Sequence, residues 1–382
     1  MQVSIYDSLT DLPQGYAQLF DQWTSRGFSY SLSWFQNFVE TALPADHTLR
    51  LYGVEADDQR HTPIGLLLMK HIVSTRSGQR GHRLTALGNY YTPLFGPLID
   101  HSCSDHAPIL SAMVSAIAAD RPRWDTIELT PMDRESPLYI GLMQAFRDHG
   151  MVVQPFFAFG NWYLEVGNRS YDEYLKNLPS FLSKKIPYKT RRLDKHFQAR
   201  IQIVTSAEGL DEALAGYDAV YRASWKIPEP YPNFIPGLAH TAAKNGWLRL
   251  GVVYLNGEAA AAQLWIVNKG VASIFKLSYD ERFVKDSVGT ILTAKLMQHV
   301  IQLDRVHTVD YLCGDDDYKK HWMSHRRERW GLYAMNTRTA RGCLNILRHV
   351  GGRAIKSFLK EAKASTGSQA DESKEPHSET EK

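Results

Sequence analysis

Hydrophobic and polar positions follow helical and strand periods that recur in the same order in two halves of the chain. The first half predicts helices at Pro13–Ser25 and Ser33–Leu43, strands at Thr48–Glu55, Pro63–Val73 and His82–Gly88, a helix at Ala107–Ala119, a strand at Trp124–Pro131, a helix at Ser136–Gly150 and a strand at Val152–Val166. The second half predicts helices at Gly209–Ser224 and Pro236–Asn245, strands at Trp247–Leu255, Glu258–Asn268 and Val271–Tyr279, a helix after Gly289, a strand at Val306–Cys313, a short helix near Tyr318–Ser324 and a strand at Arg329–Asn336. The order of elements repeats although the residues do not.

Turn residues indicate how these strands connect. Asn256-Gly257 lies between two apolar strands, which is typical of a two-residue hairpin, and Asn268-Lys269-Gly270 indicates a second one. The helix after Gly289 then connects two strands that must run parallel. We therefore expect an α/β fold with a mixed sheet in each half, and the turn residues at Gly167-Asn168 predict the boundary between them.

Charge, cysteine spacing and hydropathy give no indication of a nucleic-acid-binding, zinc-binding, disulfide-rich or membrane-spanning protein. The 382 residues include 44 basic and 41 acidic side chains, a balance that does not require a nucleic-acid or membrane partner. Three widely spaced cysteines fit no zinc or disulfide pattern, and a reducing cytoplasm is the simplest setting. The N-terminus lacks a secretory signal pattern, and no run reaches the roughly 18 apolar residues of a membrane helix. The polar tail 364–382 is expected to be disordered.

The segment from Val271 to Trp322 carries the clearest chemistry. A buried strand leads to the small-residue turn Ser287-Val288-Gly289-Thr290, which opens an amphipathic helix. A helix N-terminus offers unpaired N–H groups and partial positive charge, so this turn is a candidate phosphate site. The next strand delivers the sequence Gly314-Asp-Asp-Asp-Tyr318-Lys-Lys at its C-terminal end.

This arrangement resembles the GNAT acyltransferase fold in its duplicated form, and within it the CelD-like acetyltransferases linked to cellulose biosynthesis, which are relatives of the Fem peptidyltransferases. The residues that carry the resemblance are Trp225-Lys226, the hairpin Gly246–Gln263, Tyr279-Asp280, Ser287–Thr290 with Leu292, Asp310–Gly314, Tyr318-Lys319 with Trp322, and the basic helix Lys184–Arg192. It covers mainly Leu178 to Met335 and implies two tandem GNAT-like domains, a degenerate one at 1–167 and an acyltransferase domain at 168–363. One departure is that a single glycine, Gly289, precedes the helix, and the sequence reads Ser-Val-Gly where the family more often has Ser-Pro-Gly.

The resemblance implies transfer of an acyl group from a thioester, most simply acetyl-CoA, to an amine or hydroxyl. Ser287 and the backbone N–H groups of Gly289, Thr290 and Ile291 would hold the diphosphate. The splayed ends of the two parallel strands, Leu277 included, would give pantetheine a backbone edge. The implied catalytic groups are Asp310 or Asp315 as the base, Tyr318 as the acid that protonates the leaving thiolate, and Lys319 as an anchor for an anionic group or a carbonyl.

Each of these residues has a plainer interpretation. Ser287 or Thr290 is also what an ordinary helix N-cap requires. Asp310 also fits a buried, hydrogen-bonded structural acid, and the run Asp315-Asp316-Asp317 a cap with solvated neighbours. A metal site is not expected there, because magnesium and calcium draw ligands from several segments. His321 and His325 have the helical spacing of a metal pair but lack a third ligand, so they are interpreted as structural or surface residues.

Two further segments border this region. The basic run Lys184–Arg192 fits a solvated helix face, contact with CoA phosphates, or an anionic acceptor, and Tyr188 nearby also permits nucleic-acid stacking. Trp225 and the loop Pro228–Pro232 fit either a wall over the acceptor or core packing. The bulky segment Asn89–Pro97 replaces the phosphate turn in the first half, which is therefore expected to shape the acceptor cleft instead of binding a cofactor.

Three functions remain open at this stage. The first is a cytoplasmic CoA-dependent acyltransferase acting on a small-molecule or cell-envelope polysaccharide-precursor acceptor, without a metal and without a membrane span. The second keeps the fold but takes aminoacyl-tRNA as the donor, the one nucleic acid considered. The third is a non-catalytic binding protein, because fold does not fix function. A groove beside Gly289 filled by side chains would favour the third.

Overall fold

A computed structural model describes residues 1–76 and 79–349. The strands are β1 (Gln2–Tyr6), β2 (His47–Glu55), β3 (Pro63–Arg76), β4 (Gln79–Ala86), β5 (Leu98–Ile99), β6 (Thr126–Asp133), β7 (Met151–Glu165), β8 (Ala199–Val204), β9 (Leu248–Leu255), β10 (Glu258–Asn268), β11 (Val271–Tyr279), β12 (Thr308–Asp310) and β13 (His325–Asn336). The α-helices are α1 (Ala17–Thr24), α2 (Leu32–Ala42), α3 (Ala107–Ala119), α4 (Pro137–Asp148), α5 (Tyr171–Asn177), α6 (Ser180–His196), α7 (Leu210–Arg222), α8 (Phe234–Lys244) and α9 (Val288–Gln302), and residues 340–349 are also helical. Short 3₁₀ turns lie at Gln14–Tyr16, Phe28–Tyr30, Glu281–Asp286 and Lys319–His321.

The strands form one continuous mixed sheet in the order β1-β2-β3-β4-β6-β13-β7-β12-β11-β10-β9-β8, with β5 beside β3. The pairs β4–β6 and β11–β12 are parallel, whereas the other pairs are antiparallel. Each parallel pair is connected by a crossover helix, α3 in the first half and α9 in the second. The predicted α/β class, the mixed sheet and the repeated order of elements are therefore confirmed.

Long strands join the two halves. β13 lies between β6 and β7, while the end of β7 pairs with β12 through Tyr163–Glu165. Helices α2 and α8 also pack across the halves, with the rings of Trp34 and Phe234 at 5.5 Å and the Asn37 side chain donating to the Phe234 carbonyl. The boundary predicted at 167 and 168 stays a prediction, and the tail predicted to be disordered lies outside the described residues.

Several predicted elements have different bounds. The strand predicted at Val306–Cys313 is only the three residues of β12, because Leu312 takes a φ of +53° and its amide donates to the Asp310 side chain. This local turn removes the chain from the sheet. β13 begins at His325 instead of Arg329, and the short helix near Tyr318 is a single 3₁₀ turn. β1, β5, β8 and α5 had no predicted counterpart, although α5 opens with a capping box of Ser170 and Glu173.

Candidate functional site

The parallel strands β11 and β12 diverge and leave a gap in the sheet. They pair only from Val271–Thr308 to Ser273–Asp310, after which β12 ends and β11 continues. Opposite β10, the register changes so that Phe275 is an extra residue, which is a β-bulge. A bulge bends the strand that carries it, and this one lies immediately beyond the last β12 pair. The β11 edge from Ile274 to Tyr279 therefore faces a cavity where the next strand would be.

Helix α9 opens onto the same gap. Ser287 precedes it in the left-handed region at φ +60° and makes no side-chain cap hydrogen bond. The first hydrogen bond of the helix runs from the Ile291 amide to the Ser287 carbonyl at 3.0 Å. The amides of Val288, Gly289 and Thr290 precede that bond, so they have no partner inside the helix. The ordinary N-cap expected of Ser287 is thus absent, and a small anion would be stabilised here.

A buried glutamine fixes this end of the helix against the sheet. The Gln263 side chain of β10 donates to the Gly289 carbonyl at 3.1 Å and to the Thr293 hydroxyl at 2.8 Å, while Trp265 donates to its oxygen. Gly289 is needed because a Cβ there would meet the Tyr279 ring at 3.0 Å. The turn is therefore held close to β11, and a side chain at this position would crowd the Tyr279 ring.

The cavity in the gap has a volume of about 680 Å³. Residues of β11, α6, α9, the loop after α7 and the segment after β12 line it, among them Phe181, Lys185, Trp225, Lys226, Lys276, Leu277, Ser278, Ser287, Gly289, Thr290, Tyr311, Cys313, Tyr318, Lys319 and His321. The structure thus brings together the predicted residues Leu277, Ser287, Gly289, Thr290, Tyr318 and Lys319. The cavity is open, not filled by neighbouring side chains.

Three predicted residues do not reach this cavity. The Ile291 side chain is fully buried, and its amide is used inside α9 as described, so its predicted contact with a diphosphate is wrong. Asp310 accepts from the Asn161 amide at 2.6 Å and the Leu312 N–H at 2.7 Å, and it also forms an ion pair with Arg327. Asp315 accepts from Arg326 at 2.6 Å and from the Trp162 indole at 2.7 Å. Both carboxylates are structural partners outside the cavity, as the plainer interpretation of Asp310 held.

Lysine side chains give the cavity a cationic lining. Lys185, Lys226, Lys276 and Lys319 all contribute to it. Lys319 is 5% exposed, donates to the Cys313 carbonyl at 2.6 Å and to the Gly314 carbonyl at 3.1 Å, and pairs with Asp316. It therefore anchors the loop after β12. Lys226 had no predicted catalytic role, although the pair Trp225-Lys226 was among the residues that carried the resemblance.

Lys226 is a lysine with no carboxylate in hydrogen-bond range among residues 1–76 and 79–349. Its Nζ donates to the Leu277 carbonyl, on the β11 edge that faces the gap. Burial, followed by the neighbouring positive charge of Lys276, lowers the pKa of Lys226 to about 8. More of this amine is therefore neutral near pH 7 than of an ordinary lysine, which suits a group that must accept a proton.

A hydrogen-bonded cluster connects the two halves beside the cavity. Lys276 of β11 pairs with Glu229 at 2.6 Å, and Glu229 also accepts from the hydroxyls of Tyr90 and Tyr91. Burial works to raise the pKa of Glu229, but the hydrogen bonds from Lys276 and Tyr91 outweigh it and hold that pKa below its usual value. Glu229 is thus an anion that fixes the proline-rich loop against the first half.

Aromatic and thiol groups complete the walls. Trp225 is 50% exposed and its ring lies 4.6 Å from that of Tyr279, so it forms part of the wall and not of the core. Burial raises the pKa of the Cys313 thiol to about 12, so this thiol is a poor nucleophile. Burial, with Asp316 nearby, also raises the pKa of the Tyr318 hydroxyl, which is therefore a proton donor at physiological pH.

The predicted histidine and aspartate groups do not assemble a metal site in the part of the chain that is described. His321 lies in the 3₁₀ turn at the cavity, whereas His325 lies in β13 and stacks on Tyr163. Asp316 and Asp317 pair with Lys319 and Lys320. Across residues 1–76 and 79–349, no three His, Cys, Asp or Glu side chains are grouped as metal ligands would be.

Replacing Lys226 by methionine is expected to change how stability depends on pH. The unfolded chain, with a lysine pKa near 10.5, binds more protons than the folded chain between pH about 8 and 10.5. The free energy of unfolding of the wild type should therefore rise with pH across this window relative to that of Lys226→Met. Below this window the difference between the two proteins should stay constant. Urea unfolding at about pH 7 and about pH 9.5 measures this. Lys244→Met, on the exposed end of α8, is the matched control, and parallel pH profiles for Lys226→Met and wild type would contradict the burial of the amine.

Comparison with known proteins supports the fold. Residues 180–320 match the model of the acetyltransferase (GNAT) domain, which supports a transferase. The crystal structure of FemX superposes with a TM-score of 0.59 at 11% identity, over 87% of this chain and 97% of that one. A tandem GNAT protein from the clavulanic acid biosynthesis pathway gives 0.51 at 10% identity, over 88% and 100% of the two chains.

A conserved protein of unknown function from Bacteroides thetaiotaomicron gives a TM-score of 0.53 at 10% identity, over 88% of this chain and 100% of that one. At these identities the likeness establishes a GNAT fold and no activity. No curated protein matched the sequence. The narrower resemblance to CelD-like enzymes stays a prediction. Among the described residues, no helix is both long and apolar enough to cross a bilayer.

Proposed function

We propose that the protein transfers an acyl group from acyl-CoA, most simply acetyl-CoA, to an amine or hydroxyl acceptor. The observation that carries this proposal is the open cavity between β11 and β12, which ends on the uncommitted amides of Val288, Gly289 and Thr290. A diphosphate needs such donors, and a thioester needs a long, partly apolar cleft beside them.

The elements of the cavity suit successive parts of the donor. The turn Ser287–Thr290 binds the diphosphate, helped by the Ser287 hydroxyl, which has no cap bond to break. The free edge of β11 around Leu277 pairs with the amides of pantetheine. In this structure the Lys226 ammonium donates a hydrogen bond to the Leu277 carbonyl. A pantetheine amide that pairs there displaces this ammonium into the cavity.

The chemistry then needs one base and one acid. The acceptor nitrogen or oxygen attacks the thioester carbonyl, the C–S bond breaks, and the acyl group passes to the acceptor. We assign the role of general base to the neutral form of Lys226, which accepts the proton of the attacking amine or hydroxyl. Asp310 and Asp315 lie outside the cavity. We assign protonation of the leaving thiolate to Tyr318, which lines the cavity and whose hydroxyl is protonated at physiological pH. Lys319 fixes the loop that carries Tyr318.

Titration calorimetry with acetyl-CoA tests the donor. We expect saturable binding with a 1:1 stoichiometry and a raised melting temperature, because a ligand that binds only the folded state stabilises it. Dephospho-CoA and free pantetheine are the matched probes, and pantetheine without the diphosphate should bind more weakly. If acetyl-CoA neither binds nor shifts the melting temperature, the CoA-dependent proposal fails.

A second candidate donor is aminoacyl-tRNA, which one surface favours. Helix α6 borders the cavity through Phe181 and Lys185 and exposes cationic side chains along its length. These cationic side chains belong to Lys184, Lys185, Arg191, Arg192 and Lys195. In the described residues none of them has an acidic partner within ion-pair distance. A polyanion would be attracted to such a surface.

Binding of charged tRNA separates the two donors. If tRNA is the donor, its affinity should fall steeply with salt and fall further when Arg191 and Arg192 are replaced by glutamine. Acetyl-CoA should then fail to support transfer. Weak tRNA binding that is equal in wild type and the double variant, together with tight acetyl-CoA binding, would exclude the tRNA donor.

A further inference from the structure

A second cavity of about 200 Å³ adjoins the first at the junction of the two halves. Ser273 and Leu312 line it, whereas the next residues along the chain, Ile274 and Cys313, line the larger cavity. Strands β11 and β12 therefore separate the two spaces. The remaining walls come from the 3₁₀ turn after α1, from β7 and from β13, through Arg26, Tyr30, Asn161, Arg327 and Arg329.

Arg329 is a buried cation without a close acceptor. It is 5% exposed, and its nearest carboxylate oxygen in the described structure, on Asp133, lies 3.6 Å away, too far for a hydrogen bond. Arginine presents a planar fork of N–H donors that matches a carboxylate. Burial and the neighbouring charge of Arg327 lower the pKa of Arg329.

An unpaired acceptor faces the same cavity. Asn268, at the end of β10, is 6% exposed, and its Oδ1 has no hydrogen-bond partner. Leaving a buried polar atom unpaired is costly, so such atoms are normally satisfied by a partner. Ser273 is also buried there, and its hydroxyl makes no hydrogen bond within the described residues.

The charged side chains that line the cavity favour an anion. Asp310 is paired with Arg327, which leaves Arg26 and Arg329 in the lining, while Asp133 acts on Arg329 from outside it at 3.6 Å. The volume is below the roughly 300 Å³ of typical drug-sized pockets, so the ligand has few heavy atoms. An occupant must therefore be small, carry negative charge for Arg329, and carry an N–H or O–H for Asn268.

We propose that this cavity is a binding site for a small organic acid, whose carboxylate pairs with Arg329 and whose adjacent hydroxyl or amino group donates to Asn268. The site goes beyond the proposed transferase function, since it does not depend on the identity of the donor. Its lining residues Ser273 and Leu312 are followed in the chain by Ile274 and Cys313 of the larger cavity, so an occupant would lie against the segments that line that cavity.

Ligand-observed NMR with four small probes tests this site. We expect lactate, which has a carboxylate and a hydroxyl, to bind the full-length protein more tightly than propionate, which lacks the hydroxyl. Lactamide, which lacks the carboxylate, should not bind. Inorganic phosphate should bind more weakly than lactate; equal or tighter binding of phosphate would overturn the carboxylate assignment.

Two variants locate the binding. Arg329→Gln should weaken lactate binding about tenfold or more, because a charge-assisted bidentate pair is lost. Asn268→Ala should remove the preference for lactate over propionate while leaving propionate binding unchanged. The latter variant keeps the proposal testable even if Arg329→Gln folds poorly. Arg326→Gln on the same strand, which pairs with Asp315 outside this cavity, is the matched control. Lactate binding that is unaffected by both Arg329→Gln and Asn268→Ala would refute the site.

Discussion

Gly289→Val is expected to abolish detectable acetyl-CoA binding, with a loss on the order of 100-fold or more. The new Cβ would lie 3.0 Å from the Tyr279 ring. The two methyl groups of valine would crowd the part of the cavity where we propose that the diphosphate binds. Losing two charge-assisted hydrogen bonds, each worth about 1.5–3 kcal/mol, corresponds to at least a hundredfold in affinity. Titration calorimetry of the purified variant measures the change.

The same substitution elsewhere on α9 controls for helix propensity. Gln302→Val places the same side chain in the last turn, on an exposed position away from the cavity. It should bind acetyl-CoA like wild type. Gly289→Ala should give an intermediate loss, because one methyl group crowds Tyr279 but does not fill the turn. If Gly289→Val keeps wild-type affinity, the donor does not bind at this helix terminus.

Local patterns were sufficient to predict the frame of the site. Asn256 and Gly257 take the positive φ values that a two-residue hairpin needs, and the crossover through α9 makes β11 and β12 parallel as expected. These features depend on residues close together in sequence. The turn Ser287–Thr290 lies in the same short segment, which is why the helix terminus at this end of the cavity could be located from the sequence.

Contacts between distant segments could not be predicted in this way. The resemblance implied Asp310 as a candidate base, yet the structure pairs it with the side-chain amide of Asn161, which is 149 positions away in the sequence. The cluster of Glu229 with Tyr91 and Lys276 likewise joins segments from both halves. Nothing local to any one of these residues indicates its partner. For this reason the sequence did not show that Asp310 and Asp315 lie outside the larger cavity or that Lys226 lines it.

Tyr318→Phe should lower kcat by roughly 10²–10⁴, the usual contribution of a general acid, with little change in KM. The ring stays packed edge-on against Tyr311 at 5.8 Å, so only the proton donor is removed. A steady-state assay that follows free thiol release from acetyl-CoA, with a reactive amine as acceptor, measures both constants. Tyr333→Phe, in β13 and outside the donor cavity, is the matched control.

The pH profile distinguishes proton donation from packing. Because burial holds the pKa of Tyr318 above its ordinary value of 10.0, wild-type activity should show no loss from tyrosine ionisation below about pH 10. The neutral form of Lys226, with a pKa of about 8, should instead make the rate rise between about pH 7 and 9. Tyr318→Phe should keep that rise while lowering the whole curve, since the base is intact. If Tyr318→Phe keeps the wild-type kcat, the thiolate leaves without help from the Tyr318 hydroxyl. Solvent would then be the proton source for the thiolate.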